Sequence, residues 1–82
     1  MNPFEVLLFA SARDLAGCGS LRIDLNEGAT VAQLSVALAQ RYPVLAALLT
    51  KCRIAVNHEF AEGERILQLG DELAVIPPVS GG

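Results

Sequence analysis

One capped, amphipathic helix limits most strongly what this chain of 82 residues can fold into. Thr30 and Gln33 have the spacing of a capping box at a helix N-terminus. The apolar stripe that follows consists of Val31, Leu34, Ala37 and Leu38. Pro43 disfavours helical conformation in the residue before it, so we expect the helix to end near Tyr42. A single helix of this kind must cover a sheet, because neither layer can bury its apolar face alone.

Short segments with apolar residues at alternate positions predict the strands of that sheet. In the first of them, Phe4, Val6 and Leu8 share the face that we expect to meet the helix. We predict four strands and a weakly patterned short one, at residues 4–10, 21–25, 54–56, 65–67 and 72–76. Short helical turns are expected at residues 11–16 and 43–49, where glycine and proline bound the segments.

The order of these elements matches the β-grasp (ubiquitin-like) fold, of the α+β class. In this fold a mixed sheet of four to five strands is covered on one face by one main helix. The first and last strands lie side by side and parallel at the centre. The length allows one small domain. We assign residues 1–77 to the β-grasp domain and residues 78–82 to an extended, flexible C-terminal tail.

The sequence ends in two glycines that follow a stiff, extended segment. Proline fixes φ and restricts the residue before it, so Pro77 and Pro78 are expected to project the end away from the domain. Glycine allows that end to enter a slot too narrow for a Cβ atom. We expect the carboxylate of Gly82 to be presented to another protein's active site; the alternative is a frayed terminus. The tail consists of Pro78, Val79, Ser80, Gly81 and Gly82.

Large apolar side chains are predicted on the outer face of the sheet, beside the tail. Alternation places Phe9 with Glu5 on that face of the first strand, and Ile76 with Glu72 on that face of the last. Phe60 follows a turn, where a large aromatic residue is not required. Phe9, Phe60 and Ile76 are therefore candidates for a partner interface. The alternative is that loops or the twist of the sheet bury them.

Composition argues against several other functions. A formal net charge of −3 does not favour binding to nucleic acid, whose phosphates are negatively charged. Cys18 and Cys52 fit no metal-site spacing and are expected to be reduced; the alternative is a disulfide between them. The single histidine, His58, reads as a solvated turn residue. Glu5 and Arg13 interrupt the N-terminal apolar run, so we expect no membrane segment and a cytoplasmic protein. No residue pattern suggests a catalytic group, a bound cofactor or a metal.

The segment Leu-Gly-Asp-Glu-Leu-Ala-Val-Ile-Pro-Pro-Val-Ser-Gly-Gly, residues 69–82, resembles the end of MoaD-type sulfur carriers, the small subunits of molybdopterin synthase. Residues 6–10, 13–15 and 55–57 are similar to that family's opening strand, the turn after it and its third strand. In the family, apolar contacts to partners fall where Phe9, Phe60 and Ile76 lie here.

This resemblance implies a mechanism for the tail. An adenylating enzyme similar to the ubiquitin E1 class would activate Gly82 with ATP, and a sulfurtransferase would supply sulfur to leave a thiocarboxylate. The tail would then deliver sulfur to cyclic pyranopterin monophosphate on the large catalytic subunit, forming the dithiolene of molybdopterin. The resemblance implies a heterotetramer of two small and two large subunits. The small subunit would donate sulfur without catalytic residues of its own.

Three other functions stay open at this point. A ThiS-type carrier for thiazole synthesis shares the fold, the tail and the activation chemistry. A ubiquitin-like modifier of protein lysines would end in the same two glycines, although Lys51 is the only lysine on which this chain could extend itself. A plain interaction domain with an inert tail is the third.

Overall fold

Alternating burial separates the two faces of a five-stranded sheet in the computed structural model, which describes residues 1–78. The strands are β1 (Asn2–Leu8), β2 (Ser20–Leu25), β3 (Arg53–Val56), β4 (Glu59–Phe60) and β5 (Leu73–Ile76). The helices are α1 (Ala10–Ala16), α2 (Val31–Arg41) and α3 (Ala46–Leu49), and a 3₁₀ turn, Pro43–Leu45, precedes α3.

The strands lie in the order β2-β1-β5-β3-β4, so the last strand in sequence occupies the centre of the sheet. β1 and β5 are parallel, and the other neighbouring pairs are antiparallel. This topology confirms the predicted β-grasp fold and the central pairing of the first and last strands. The chain after β5 therefore leaves from the middle of the sheet.

The core lies between α2 and the inner face of the sheet. Thr30 Oγ1 accepts a hydrogen bond from the Gln33 amide (3.2 Å), and Gln33 Oε1 accepts one from the Thr30 amide (2.9 Å), which confirms the capping box. The stripe of α2 is buried at Val31, Leu34 and Leu38. The strands contribute Phe4, Val6, Leu8, Leu73 and Val75, all buried. Each such side chain contributes roughly 1.5–3 kcal/mol through burial.

The predicted short strand at residues 65–67 is wrong. Ile66 forms only an isolated bridge with Thr30, and the fourth strand is instead β4. Asn57 and His58 have positive φ angles of 52° and 72° and reverse the chain in two residues. Such a turn matches the twist of the flanking strands. Phe60 therefore returns at once to pair with Ala55.

The predicted first strand is also displaced. It was placed at residues 4–10, whereas β1 is Asn2–Leu8, and α1 already begins at Ala10 with a positive φ of 49°.

Within residues 1–78 no single helix has the length and apolar character to cross a bilayer. Only α2 taken together with the segment Pro43–Leu49, bent by 117° from it, meets both criteria.

Candidate functional site

An apolar depression occupies the outer face of the sheet, opposite the core. The register aligns Leu7, Ala74, Ala55 and Phe60 in one row across β1, β5, β3 and β4. Neighbouring strands lie about 4.8 Å apart, so the row spans roughly 14 Å. The two central residues carry only methyl groups, so the middle of the row is lower than its ends. The depression has a volume of about 340 Å³.

We call this depression the outer groove. Its apolar lining consists of Leu7, Phe9, Ala55, Phe60, Ala74 and Ile76. His58 and Glu72 form its polar rim at one end. An apolar hollow of this size, open to solvent and framed by two aromatic rings, is suited to receiving a large side chain of another protein.

The structure brings together the three residues predicted to form a partner interface. Phe9 and Phe60 are 47% and 53% exposed. Ile76 is half-buried, less exposed than predicted, because β5 is the central strand. Phe9 follows β1 rather than belonging to it, but its backbone is still extended (φ −127°, ψ 156°) and so continues the alternation of the strand. Their contact with a partner stays a prediction.

The root of the tail adjoins the outer groove. Ile76, the last residue of β5, lines the groove, Pro77 is buried and Pro78 is exposed. Any partner that covers the groove therefore lies beside the start of the tail. The predicted tail residues Val79, Ser80, Gly81 and Gly82 lie outside the described residues, and their roles stay predictions.

Two contacts at the outer groove were not predicted from the sequence. His58 Nε2 lies 2.8 Å from Glu72 Oε2, so this exposed turn histidine has a specific partner. The Arg53 guanidinium lies over the Phe60 ring, with Cζ 3.9 Å from the ring centroid. That distance is within the range of a cation–π interaction. The outer groove thus has an acidic end at Glu72, and the positively charged Arg53 packs against Phe60, one of its two aromatic side chains.

A hydrogen-bonded clasp around Asp71 fixes the acidic end. Asp71 Oδ2 accepts from the Gln68 amide (2.7 Å), and Oδ1 accepts from Asn57 Nδ2 (2.9 Å). Asn57 Oδ1 in turn accepts from the Glu72 amide (2.9 Å). The hydrogen bond from Gln68, followed by that from Asn57 and the nearby charge of Arg65, holds the pKa of Asp71 below its ordinary range. The clasp joins the β3–β4 turn to the start of β5 and so sets His58 beside Glu72.

We expect Asp71→Asn to lower the free energy of unfolding by about 0.5–1.5 kcal/mol near neutral pH, because it removes a charge-assisted acceptor. The folded state depresses the pKa of Asp71, so its contribution is fully present above the ordinary value of about 3.9. The contribution is lost as the pH falls through the lower folded value. Urea unfolding from neutral pH down to acid should show the difference between parent and variant shrinking. Asp14→Asn, at an exposed carboxylate on α1, is the control. A difference that stays constant or grows in acid would contradict the assignment.

The two cysteines differ in their surroundings. Cys18 is exposed, Cys52 is partly buried, and both are free. Burial raises the pKa of the Cys52 thiol, whose Sγ donates a hydrogen bond to the Leu48 carbonyl at 3.2 Å. Such a thiol is poorly reactive. Among residues 1–78 no group of three or more His, Cys, Asp or Glu side chains is placed to hold a metal ion.

Known proteins resemble this chain over nearly its whole length. Residues 6–82 match the model of the ThiS family. The chain is 40% identical over 81 residues to the molybdopterin synthase sulfur carrier subunit of Homo sapiens, covering 95% of this chain and 92% of that one. It is 38% identical over 78 residues to the Arabidopsis thaliana protein of the same name, covering 95% and 81%. It is 35% identical over 86 residues to small archaeal modifier protein 1 of Haloferax volcanii, covering 95% and 99%.

Solved structures share the fold. The crystal structure of small archaeal modifier protein 1 from Haloferax volcanii has a TM-score of 0.86 at 32% identity, covering 99% of this chain and 100% of that one. The complex of subunits 1 and 2 of the molybdopterin-converting factor from Helicobacter pylori contains a chain with a TM-score of 0.71 at 27% identity, covering 98% and 99%. A ubiquitin from Caldiarchaeum subterraneum has a TM-score of 0.67 at 14% identity, covering 99% and 98%, which reflects the shared fold alone.

Proposed function

The chain belongs to the ThiS family, and from this membership we propose that it is the sulfur carrier subunit of a molybdopterin synthase. The observation that carries this proposal is the match over nearly the full length to relatives of that name. The outer groove beside the root of the tail supports it, because a carrier must be held by its partners while its end reacts elsewhere.

The proposed reaction begins at the carboxyl group of Gly82. This group has a reference pKa of about 3.3–3.7, so it is ionised at neutral pH and is a poor electrophile. A separate E1-like adenylating enzyme would let the carboxylate oxygen attack the α-phosphate of ATP, forming an acyl adenylate and releasing pyrophosphate. The terminal sulfur of a persulfide on a sulfurtransferase donor would then displace AMP to form an acyl disulfide. A second thiol would cleave the S–S bond, leaving the Gly82 thiocarboxylate and a disulfide. ATP is consumed by the activating enzyme, and this chain binds no cofactor.

The thiocarboxylate would next serve the large catalytic subunit. There its sulfur, a better nucleophile than a carboxylate oxygen, would attack a carbon of cyclic pyranopterin monophosphate and displace an oxygen substituent. Water would then cleave the acyl–sulfur bond, leaving the sulfur on the pyranopterin and regenerating the Gly82 carboxylate. The dithiolene of molybdopterin contains two sulfur atoms and each carrier brings one, so two transfers are needed. The large subunit supplies the catalytic groups, in a heterotetramer of two small and two large subunits. We place these steps in the cytoplasm.

The outer groove suits both stages of this cycle. The outer groove is lined by Phe9, Phe60 and Ile76, and Ile76 is the last residue of β5. The same tail must visit the adenylating enzyme and the large subunit, and its root fixes which face of the domain can approach either active site. We therefore propose that both proteins cover the outer groove in turn, so that their complexes with this chain are mutually exclusive. The Helicobacter pylori complex of two subunits supports a partner of this kind.

A second function is favoured by one specific observation. The relative from Haloferax volcanii is a small archaeal modifier protein, which supports a role as a ubiquitin-like protein modifier. A ThiS-type carrier for thiazole synthesis is a third candidate. Ladders of conjugates on a denaturing gel would support the modifier. In deletion strains, loss of molybdoenzyme activity would support the molybdopterin carrier, and a requirement for thiamine would support the thiazole carrier.

Intact mass spectrometry tests the first step. We expect the chain, incubated with the adenylating enzyme, ATP and a sulfur donor, to gain the mass of one oxygen-to-sulfur exchange. Fragmentation must place the gain in the C-terminal peptide, because methionine oxidation adds nearly the same mass. An unchanged mass with an active adenylating enzyme would contradict the proposal.

We expect Gly81→Ile to slow activation or sulfur delivery at least about tenfold, because its side chain would obstruct a narrow channel and displace the reacting carbon. The melting temperature should not change. Gly19→Ile is a matched control, since there an added Cβ would meet only the flexible Arg13 side chain, 3.9 Å away. Thermal melts and single-turnover transfer rates measure both effects. Equal rates for Gly81→Ile and the parent would mean that the channel is wide.

A further inference from the structure

We propose that Arg53 determines the specificity of the outer groove by holding the Phe60 ring in position and binding a carboxylate of the docking partner. This inference rests on the proposed function, because it takes the large synthase subunit as that partner.

Arg53 is placed to hold the Phe60 ring. Both side chains lie on the outer face, because Phe60 pairs with Ala55 and Arg53 precedes Ala55 by two residues on β3. Such diagonal neighbours are within reach of long side chains. The guanidinium lies 3.9 Å from the ring centroid. Phe60 lines the groove and Arg53 does not, so the guanidinium supports the ring from behind.

Phe60 needs such support because of its position in the sheet. β4 has only two residues, forms an edge of the sheet, and leaves Phe60 half exposed. An aromatic side chain on so short a strand has little packing of its own to select one rotamer. Ordering it on binding would cost free energy, and a ring held in advance avoids this cost. The stack with Arg53 is a contact that can hold it.

The distribution of charge around the outer groove favours a carboxylate on the partner. Within residues 1–78 no carboxylate forms a salt bridge with Arg53, so its charge is not matched by a carboxylate of the described residues. Arg53 pairs in register with Ile76, at the tail end of the outer groove. Glu72 lies at the opposite end. A partner whose apolar side chain fills the groove and whose carboxylate meets Arg53 would be oriented correctly relative to the tail. A guanidinium can hold such a carboxylate through two hydrogen bonds.

Binding to the large subunit, compared among Arg53→Met, Arg53→Lys and the parent, tests the inference. We expect Arg53→Met to weaken binding about tenfold at low ionic strength, from loss of the stack and of the ion pair. The effect should shrink at ~1 M salt, where the Debye length is about 3 Å. Arg53→Lys should recover only part of the loss, because lysine lacks the planar fork. Arg22→Met, the same change on β2, should bind like the parent.

Two further measurements separate positioning from charge alone. In the free protein, the Arg53 Hδ resonances should be shifted upfield by the Phe60 ring, and Phe60→Leu should remove the shift. In a double-mutant cycle, Arg53→Met should cost less when Phe60 is already leucine. An unshifted Arg53 resonance, or full recovery by Arg53→Lys, would overturn the positioning role, even if Arg53→Met proved unstable.

The outcomes also distinguish this inference from the proposed function. If the parent binds the large subunit and Arg53→Met binds equally well, the role of Arg53 is overturned and the proposed function stands. If the parent does not bind the large subunit at all, both are overturned.

Discussion

Removing Gly82 is expected to abolish thiocarboxylate formation and molybdopterin synthesis while leaving thermal unfolding unchanged. The chemistry takes place on one carboxyl carbon, and the length of the tail sets its reach. Deleting one residue withdraws the carboxylate by up to about 3.6 Å, and a misplacement of about 1 Å can already cost a hundredfold in rate. Adding one residue after Gly82 should have the same effect. The measurements are the intact mass after incubation with the adenylating enzyme, and the thermal melt.

The control for this prediction is an extra glycine before Met1, which is exposed at the other end of the chain. That variant should gain sulfur like the parent. A chain without Gly82 that still acquired sulfur and supported molybdopterin synthesis would show that the reactive group lies elsewhere.

Phe60→Ala is expected to weaken binding to the large subunit by about 2 kcal/mol or more. This corresponds to roughly thirtyfold in Kd. The melting temperature should barely move, because Phe60 is half exposed, whereas removing a buried Phe side chain costs about 3–5 kcal/mol of stability. The adenylating enzyme should lose affinity as well, because it covers the same groove. Titration calorimetry with each partner measures the loss of affinity, and thermal melts measure any loss of stability.

Two matched variants make this test sharper. Phe4→Ala removes the same side chain from the core, where Phe4 is buried, and should lower the melting temperature instead. Ile66→Ala removes an equally exposed apolar side chain outside the outer groove, and should change neither property. The prediction would be refuted if Phe60→Ala destabilised the protein as much as Phe4→Ala, or if it bound both partners like the parent.

The parts of the fold that follow from local chemistry could be predicted from the sequence. The capping box of Thr30 and Gln33 and the stripe of α2 depend on contacts within a few residues. The inner faces of β1 and β5 follow from alternation alone, since one face of each strand must be buried. Once one helix and these strands are in place, few topologies cover both layers.

The fourth strand could not be placed because the apolar pattern after residue 60 is weak. The residue type at the turn did indicate a β-hairpin, because asparagine tolerates the positive φ that a two-residue hairpin loop requires at Asn57. Applied to that turn, the hairpin rule would have paired Phe60 with Ala55 and placed it on the outer face. Phe9 was assigned to the correct face although β1 ends before it, because its backbone remains extended.

The details of the outer groove depend on contacts between residues distant in sequence. The floor formed by Ala55 and Ala74 appears only when the register of β3 and β5 is known. The pairing of His58 with Glu72 requires the Asp71 clasp, which joins two turns. The sequence therefore predicted Phe9, Phe60 and Ile76 as members of the groove, but not Leu7, the floor or the charged rim.

Sulfur transfer can be reconstituted from the large synthase subunit, cyclic pyranopterin monophosphate and this chain prepared as the Gly82 thiocarboxylate. We predict that molybdopterin forms, with two thiocarboxylates consumed for each dithiolene, and that the carboxylate form of the chain gives no product. Absence of molybdopterin, with the same thiocarboxylate instead supplying sulfur for a thiazole or the chain becoming attached to protein lysines, would contradict the assignment.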